Sequence, residues 1–381
     1  MVLLPRILIL TCHPLNDARI LKHWRLISQS YANSRLYAIK WLASQQAYSQ
    51  ENNVNTYDFS HYNKYKKRAR LLWGKLREEL ISLIEETHNE HPLILHLHDP
   101  VLIPLACALK HKHGRVKIIY DKHEYHSFAL NNIPSIEMIA YEKIFRNHID
   151  GVVVVTEEML YETKKSTRNS MPIEIVPNYP LKTMFDDEII KQKIDSEDAK
   201  EIRFIYFGSL SNYDRNISLI LNCSEKILQS FSYAKVFIGG RNISQKDLQQ
   251  AEELERKYPK AFYYTGEVSY ETVMNETSKA HFGFLALAPQ SNKIYKNKTI
   301  SSNKIYEYLL SGTIPLLSLE GIPLDIPSEF YITLEEDYIS KIEKVISNKA
   351  LRLKIQKYAE KFSWENASLN YHKIYNTVAK V

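Results

Sequence analysis

The sequence lacks several features that mark particular classes of protein. Its three cysteines, Cys12, Cys107 and Cys223, are isolated and form no C-x-x-C pair, which predicts reduced thiols and a cytosolic chain rather than a disulfide framework. No apolar run approaches the roughly 18 residues that a membrane-spanning helix needs. The apolar start "MVLLPRILILTCH" is interrupted by Pro5 and Arg6 and lacks a cleavage site, so it predicts a core strand rather than a signal peptide.

The sequence also has only a small excess of positive over negative charge. The net charge is +6 over 381 residues, which suits an anionic ligand or a membrane surface and gives little support to nucleic-acid binding. Hydrophobic residues make up 44% and charged residues 25%, as in ordinary globular proteins. A chain of this length predicts two domains.

Short apolar runs alternate with helical patterns along the first half of the chain. The predicted strands are "RILIL" (6–10), "RLYAI" (35–39), "LILHLH" (93–98), "VKIIY" (116–120), "GVVVV" (151–155) and "IEIVPN" (173–178). The predicted helices between them cover 18–29, 65–87, 101–112, 135–147 and 157–165. Apolar strands without polar alternation indicate a parallel sheet that is covered on both faces.

The same alternation restarts after a charged, poorly patterned segment. We predict a first Rossmann-like domain over 1–180, a linker over 181–201 and a second Rossmann-like domain over 202–361, with a terminal helix over 362–381 that crosses back to the first domain. The fold class is therefore α/β, with two doubly wound parallel sheets. Ligands of such sheets bind beyond the carboxyl ends of the strands, and two such edges are expected to face each other across a cleft.

One short stretch, "NKIYEYLLSGTIP" (303–315), predicts an apolar helix that stops at Gly312 and carries only Lys304 and Glu307 as charged residues. Ser301, Ser302 and Asn303 are good capping residues for its start. A helix N-terminus carries unpaired N–H groups and a partial positive charge, which suits a diphosphate.

Seven segments in order resemble the retaining, nucleotide-sugar-dependent glycosyltransferases of family 4, which have the GT-B fold. The segments are "TCHPLNDARI", "HLHDPVLIPLACALK", "VKIIYDKHEYH", "GVVVVTEEM" with "IVPNYP", "FIYFGSLSNYDRN", "NKIYEYLLSGTIP" and "FSWENASLNYHKIY". The resemblance implies transfer of a sugar from a nucleotide sugar, with retention of anomeric configuration.

The resemblance places the donor on the second domain. Glu307 is expected to bind the ribose diol, and Arg215 the donor phosphates, where it would neutralise charge as the nucleotide leaves. Gly208, Ser302, Asn303 and Lys304 complete the expected donor set. The family's second basic residue is replaced by Leu210, so Lys304 or Arg241 is expected to supply the charge. The alternatives are a solvated acid for Glu307 and a surface arginine at a helix start for Arg215.

The resemblance places the acceptor side on the first domain. His123 matches the family histidine that lines the reaction centre, with a structural role as the alternative. Arg19 is a candidate anchor for an acceptor phosphate, with a salt bridge to Asp17 as the alternative. Asp17, Asp99 and Glu124 are weaker acceptor-side candidates.

Two family features are missing. Thr299 stands where the family has a first acid eight residues before Glu307, and "CHPLND" replaces a glycine-rich loop, which indicates a different specificity. The sequence also has no D-x-D, which argues against a metal-chelated donor site. "HLH" (96–98) beside His123 and Asp99 allows a zinc site, but buried hydrogen-bonded histidines are the preferred interpretation, so we expect no metal and no cofactor besides the donor.

The segment "KYKKRARLLWGKLR" (64–77) has seven basic residues and no acid. On a helix this pattern suits anionic lipid headgroups, and a solvated helix is the alternative.

The sequence thus predicts a cytoplasmic enzyme, peripheral on the inner face of the plasma membrane. It would act in the synthesis of a surface polysaccharide such as capsule or lipopolysaccharide, on a glycan or lipid-linked acceptor. A nucleotide-sugar 2-epimerase and a non-catalytic partner-binding protein remain as alternatives.

Overall fold

The computed structural model describes residues 4–13, 15, 17–40, 53–58, 77–85, 92–123, 133–168, 170–195, 201–212, 215–288, 302–319, 326–346 and 348–380. The chain divides into two compact units. Unit 1 comprises Met1–Pro177 and Ala367–Val381, and unit 2 comprises Asn178–Asn366.

Unit 1 is built on a seven-stranded sheet in which all paired strands are parallel. The strands are β1 (Arg6–Thr11), β2 (Arg35–Lys40), β3 (Val54–Asp58), β4 (Leu93–Leu97), β5 (Val116–Lys122), β6 (Gly151–Val154) and β7 (Ile173–Ile175), in the order β3-β2-β1-β4-β5-β6-β7. Its helices are α1 (Ala18–Ser30), α2 (Ile103–Lys112), α3 (Ile133–Phe145), α4 (Glu157–Ser166) and the last helix of the chain, Leu369–Ala379, and residues 77–85 are also helical.

Unit 2 is built on a six-stranded parallel sheet in the order β10-β9-β8-β11-β12-β13. The strands are β8 (Ile202–Ser209), β9 (Ala234–Arg241), β10 (Phe262–Gly266), β11 (Phe282–Leu285), β12 (Ile314–Leu317) and β13 (Ile332–Thr333). The helices are α5 (Asp187–Asp195), α6 (Ile217–Ser230), α7 (Gln245–Lys257), α8 (Tyr270–Lys279), α9 (Asn303–Leu310), α10 (Tyr338–Val345), α11 (Lys349–Ala359) and α12 (Trp364–Ala367), whose last residue lies in unit 1; the helix Leu369–Ala379 is α13. None of the helices in the described part of the chain is long and apolar enough to span a lipid bilayer.

The predicted fold class is confirmed, because both units contain a parallel sheet between helices. Strands such as β4 and β12 are buried along their whole length, as their unbroken apolar sequences predict. In each unit the strand order reverses at one point, between β1 and β4 and between β8 and β11. The carboxyl ends of strands at such a point form the usual ligand crevice of doubly wound sheets.

Two strands and one helix differ from the sequence prediction. β3 was missed because "VNTYD" is largely polar, and β13 because it has only two residues. The segment predicted as a linker, 181–201, contains α5, whose Ile190 and Ile194 are buried in the core of unit 2. Spacing of these apolar residues on one helical face outweighs the high charge of the segment. The basic segment 64–77 lies outside the described residues, except for exposed Arg77.

The predicted stop of α9 is present in the structure. Gly312 has a φ of +67°, a left-handed conformation that glycine adopts without strain, and its N–H donates to the carbonyl of Leu309 at 3.0 Å. The next N–H, of Thr313, donates to the carbonyl of Tyr308 at 2.8 Å, and the chain then enters β12. The helix therefore ends where the sequence indicates.

We predict that Gly283→Ala destabilises unit 2. The ring of Tyr308 packs directly against Gly283 in β11, so an added Cβ would overlap three ring atoms, and the hydroxyl of Tyr308 is held at 3.1 Å by the carbonyl of Phe284. Overpacking of this kind costs about 1–3 kcal/mol. Thermal unfolding should show a lower Tm for Gly283→Ala, whereas the control Gly114→Ala, which meets no atom within 4 Å, should unfold like the wild type. Equal Tm values for all three proteins would contradict the prediction.

Candidate functional site

In unit 2, a lysine lies over Gly208, the next-to-last residue of β8. The ammonium of Lys304, at the start of α9, occupies the space that a Cβ on Gly208 would fill. It lies 5.6 Å from the ring centroid of Tyr206, whose hydroxyl donates to the carbonyl of Ser209 at 2.6 Å. Gly208 thus lets a positive charge approach the backbone at the carboxyl end of β8. Arg241, the other predicted source of charge, is exposed at the end of neighbouring β9.

Glu307 is a buried acid rather than a solvated one. Only 4% of the residue is exposed, although it lies in a helix of just eight residues. The hydroxyl of Tyr270, at the start of α8, donates to its Oε1 at 3.3 Å. Ser302 is the N-cap residue of α9, but its side chain makes no capping hydrogen bond. A carboxylate at this depth is costly unless it accepts hydrogen bonds, and the hydroxyl of Tyr270 is one of its donors.

Arg215 is held at the carboxyl end of the neighbouring strand. Its backbone forms an antiparallel bridge with Leu287, two residues beyond β11, and the N–H of Asn216 donates to the carbonyl of Ala286 at 3.0 Å. The arginine is half-buried. Because β8 and β11 are paired, Gly208 and Arg215 belong to the same crevice of the sheet. Leu210, at which the sequence analysis expected a second basic residue, is fully buried.

The loop that carries Arg215 is tied to a buried acid that the sequence analysis missed. Asp247, in the first turn of α7, is 1% exposed and accepts hydrogen bonds from the side chains of Asn212 and Ser218, the latter at 3.0 Å. Ser244 caps the same helix by accepting from the N–H of Asp247 at 3.2 Å. The Ser-x-x-Asp spacing of a capping box was the available signal.

In unit 1, three polar side chains follow β1, β4 and β5. Nε2 of His13 lies 3.2 Å from Nε2 of His123 and 3.4 Å from Oδ1 of Asp99. Asp99 in turn accepts from the N–H of Cys12 at 2.6 Å and from the hydroxyl of Thr11 at 3.3 Å. His13, Asp99 and His123 are partly exposed, so this cluster is open to a ligand.

Beneath the cluster lies a fully buried ion pair. Asp121, in β5, accepts from Nη2 of Arg19 at 2.9 and 3.0 Å and from Nε at 3.2 Å. The hydroxyl of Tyr371, in α13, donates to the same carboxylate at 2.7 Å. Burial by itself would raise the pKa of Asp121, but the charge of Arg19, together with the neighbouring His98, His123 and His96, holds this pKa well below its usual range. Asp121 is therefore ionised in the interior of unit 1.

Three buried imidazoles form a hydrogen-bonded chain with a second tyrosine of α13. The hydroxyl of Tyr375 lies 2.9 Å from Nδ1 of His96 and 2.7 Å from Nε2 of His23, and Nδ1 of His23 lies 2.8 Å from Nε2 of His98. The two ends of the chain, Nε2 of His96 and Nδ1 of His98, lie 3.5 and 3.7 Å from Oδ2 of Asp121. When all three histidines are neutral, the three imidazoles and the Tyr375 hydroxyl together have four N–H or O–H protons. The three hydrogen bonds of the chain use three of them, so at most one of the two end nitrogens carries a proton.

Two groups of side chains in the described residues have the spacing of metal ligands. They are His23 with His96 and His98, and His98 with Asp121 and His123. In the second group, Oδ2 of Asp121 already accepts from Arg19 and Tyr371, and the guanidinium would repel a cation. In the first group, Nδ1 of His23 is hydrogen-bonded to Nε2 of His98, and Nδ1 of His96 is hydrogen-bonded to the hydroxyl of Tyr375. His96 and His98 are thus buried and hydrogen-bonded, and the expected absence of a metal stays a prediction.

Other predicted acceptor-side residues have different positions from those expected. Arg19 is buried and bound by Asp121 and by the carbonyl of Val176 at 3.0 Å, so its guanidinium is unsuited to an acceptor phosphate. No local pattern in the sequence reveals that Asp121, 102 positions away, binds this guanidinium. Asp17 does not pair with this guanidinium but caps α1 by accepting from the N–H of Arg19 and of Ile20. Glu124, Thr299 and Ser301 lie outside the described residues.

The sequence analysis did not identify several members of the unit 1 cluster. The missed residues are His13, His23, Asp121, Tyr371 and Tyr375. His13 and Asp121 lie within strand-end motifs that were recognised, and an acid at the end of an apolar strand was the available signal. The tyrosines come from the other end of the chain, at helical spacing i and i+4, and nothing local reveals their partners.

No protein-family model matches the sequence, and no curated protein sequence does. Solved structures match over almost the whole chain. Sucrose-phosphate synthase from Thermosynechococcus elongatus matches with a TM-score of 0.64 and 12% identity, covering 98% of this chain and 99% of that one. The UDP-forming trehalose-phosphate synthase from Burkholderia xenovorans, in complex with glucose-6-phosphate, matches with a TM-score of 0.62 and 11% identity, covering 97% and 100%. Anabaena HepE, in complex with UDP and glucose, matches with a TM-score of 0.65 and 11% identity, covering 99% and 100%.

The fold is GT-B. The likeness extends through both parallel-sheet units of this GT-B chain, and at these identities it is a likeness of fold.

We predict that the stability of unit 1 falls as the pH falls below about 6.5. Burial lowers the pKa of His23 and His98 well below the usual value, and lowers that of His96. Below about pH 6.5 the unfolded chain therefore binds more protons than the folded one. The free energy of unfolding is then highest above that pH and decreases as the pH falls toward the pKa values of the folded state. Each such histidine contributes a slope of about 1.4 kcal/mol per pH unit.

Thermal unfolding between about pH 7.5 and about pH 5.5 measures this slope. His98→Gln should flatten it, whereas His111→Gln, at an exposed position, should leave it unchanged. Burial also lowers the pKa of His281 in unit 2, to about 2. Its contribution to the pH dependence of stability is the same in the wild type, His98→Gln and His111→Gln. A slope for His98→Gln as steep as that of the wild type would contradict the prediction.

Proposed function

We propose that this protein is a glycosyltransferase that binds a nucleotide sugar on unit 2 and transfers the sugar to an acceptor with retention of configuration. The observation that carries the proposal is the crevice between β8 and β11. There a helix N-terminus, the ammonium of Lys304, the half-buried Arg215 and the buried acid Glu307 belong to one ligand-binding edge. Positive groups beside an acid suit a nucleotide sugar, which offers a diphosphate and a ribose diol.

The chemistry that these residues support is departure of a nucleoside diphosphate. The backbone N–H groups of Ser302 and Asn303, at the start of α9, would donate to phosphate oxygens. Lys304 and Arg215 would balance the charge that grows on the diphosphate as the glycosidic bond breaks. Two fixed positive charges replace a metal ion in this role, so the proposed transfer is independent of metal. The names of two structural neighbours, UDP-forming trehalose-phosphate synthase and HepE in complex with UDP and glucose, support a uridine donor.

The proposed acceptor is a glycan or a lipid-linked sugar, bound at the strand ends of unit 1 where His13, Asp99 and His123 meet. The biological setting that we propose is surface polysaccharide synthesis at the cytoplasmic face of the plasma membrane. The basic segment 64–77, with seven basic residues, supports attraction to anionic lipid.

A thermal-shift panel of UDP, GDP, ADP and CMP tests the donor site. A ligand that binds only the folded protein raises its stability by mass action, so one nucleotide should raise the Tm in proportion to the logarithm of its concentration. Absence of a shift with all four nucleotides would refute nucleotide-sugar binding.

We predict that Glu307→Gln weakens nucleoside diphosphate binding about 10- to 100-fold. Loss of a charge-assisted hydrogen bond costs about 1.5–3 kcal/mol, and the amide keeps the size of the buried side chain. Isothermal titration with the nucleotide selected by the panel measures the Kd. Glu329→Gln, an exposed acid of the same unit paired with Lys354, is the control and should bind like the wild type. Wild-type affinity in Glu307→Gln would remove the proposed ribose contact.

We also predict that sugar transfer survives EDTA, because Lys304 and Arg215 supply the positive charge at the donor site. Release of nucleoside diphosphate from a nucleotide sugar, assayed before and after dialysis against EDTA, is the measurement. Loss of activity with rescue by one divalent ion would overturn metal independence and direct attention to His96, His98 and His123.

A further inference from the structure

We propose that unit 1 contains a further binding site, a cavity between α3, α4 and the sheet, which takes a small organic anion with an apolar body and one additional polar group. The cavity has Arg146 at its mouth and Thr163 in its interior. It is separate from the donor crevice of unit 2 and from the cluster of His13, Asp99 and His123. The proposal goes beyond the proposed function and does not rest on it.

The cavity lies on the face of the sheet opposite to the buried ion pair. Tyr120 and Lys122 of β5 line it. Asp121, between them, points to the other face of the sheet, where it binds Arg19 and Tyr371. The volume of the cavity is about 260 Å³. Drug-sized ligands occupy pockets of about 300–1,000 Å³, so this cavity suits a smaller molecule, such as one with a single substituted ring.

The interior of the cavity is largely apolar. Ile139 of α3 and Val152 of β6 line it, together with Ile149 and Met171, which precede β6 and β7. Ile149 and Val152 are buried, and Met171 is partly exposed. Transfer of an apolar group from water to such an environment is favourable, so the body of the ligand is expected to be apolar.

The carboxylate of Glu142, which also lines the cavity, is already paired. Its Oε1 accepts from the hydroxyl of Tyr120 at 2.7 Å, and its Oε2 accepts from Nζ of Lys122 at 2.9 Å. Burial beside Glu142 raises the pKa of Tyr120 well above its usual value, so this hydroxyl keeps its proton. The three side chains therefore form a wall without net charge.

Thr163 of α4 is a polar group that a ligand would complete. It lines the cavity and is only 5% exposed, and its Oγ1 has no hydrogen-bond partner in the described part of the chain. A buried hydroxyl without a partner is costly. The buried Thr277 of α8 avoids this cost, because its hydroxyl donates to the carbonyl of Val273 at 2.7 Å. A polar group of a ligand would supply the partner that Thr163 lacks.

The mouth of the cavity favours an anion. Lys143 and Arg146 are exposed there, together with the acid Glu162. Nη1 of Arg146 donates to the carbonyl of Ser166 at 3.3 Å, which holds the guanidinium between the ends of α3 and α4. A guanidinium has five N–H donors in a fork that matches a carboxylate. Among the described residues of the mouth, two cations then face one acid, which suits a single negative charge on the ligand.

The test is a titration of the full-length protein with 4-hydroxyphenylacetate, followed by NMR of ¹³C-labelled methionine methyl groups. The chain has six methionines, and Met171→Leu assigns the signal of the one in the cavity. The Met171 methyl should shift and reach saturation. Phenylacetate lacks the hydroxyl and should bind about 3- to 10-fold more weakly, and 4-hydroxyphenylacetamide lacks the charge and should bind about 10- to 100-fold more weakly.

Two pairs of variants assign the contacts. Thr163→Val should bind 4-hydroxyphenylacetate and phenylacetate equally. Its control Thr167→Val should keep the difference, because the hydroxyl of Thr167 already donates to the carbonyl of Thr163 at 2.9 Å. Arg146→Gln should reduce the preference for the acid over the amide. Its control Lys164→Gln, an exposed residue of α4 that does not line the cavity, should keep that preference. The Tm of each variant shows that it is folded.

Each negative result overturns a defined part of the proposal. An unmoved Met171 methyl, or shifts confined to other methionines, would overturn the site. Equal affinity of the wild type for the acid and the amide would overturn the anionic ligand. A difference between the two acids that persists in folded Thr163→Val would overturn the role of Thr163. None of these measurements involves UDP, so this proposal and the proposed function can fail separately.

Discussion

The structure of unit 1 depends on the buried ion pair between Arg19 and Asp121. Two charges without solvent are costly, so each must be completely hydrogen-bonded. Arg19 meets this need with Asp121 and the carbonyl of Val176, and Asp121 meets it with Arg19 and Tyr371. Through these contacts the pair connects α1, β5, Val176 and α13. Removing either Arg19 or Asp121 leaves the other charge buried and unpaired.

The same constraint explains why unit 1 is completed by the carboxyl terminus of the chain. The helix Leu369–Ala379 contributes two buried tyrosine hydroxyls, which form hydrogen bonds with Asp121 and His96 of the first part of the chain. Its apolar side packs on Gly151, where the side chains of Ile374 and Val378 lie 3.0–3.3 Å from the position of an added Cβ. The same helix, α13, thus provides both hydrogen bonds to buried polar groups and close apolar packing in unit 1.

Unit 2 relies on a different arrangement, in which charge is kept at the edge of the sheet. Lys304 lies over Gly208, Arg215 is pinned beside β11 by a backbone bridge, and Asp247 ties the loop between them to α7. Such groups are fixed before a ligand arrives, which reduces the cost of ordering them on binding. The metal-independent transfer proposed above would need positive charges fixed in this way.

The sequence by itself determined the two parallel sheets, because unbroken apolar strands and helical periodicity are local properties. It also determined the end of α9, because Gly312 adopts a left-handed conformation that other residues avoid. It did not determine the linker helix Asp187–Asp195 or the partners of Arg19, His23 and Tyr375. Those depend on which side chains meet after 100 to 350 intervening residues have folded. Burial then decides whether such a side chain binds a ligand or satisfies another buried charge, and only the tertiary structure fixes burial.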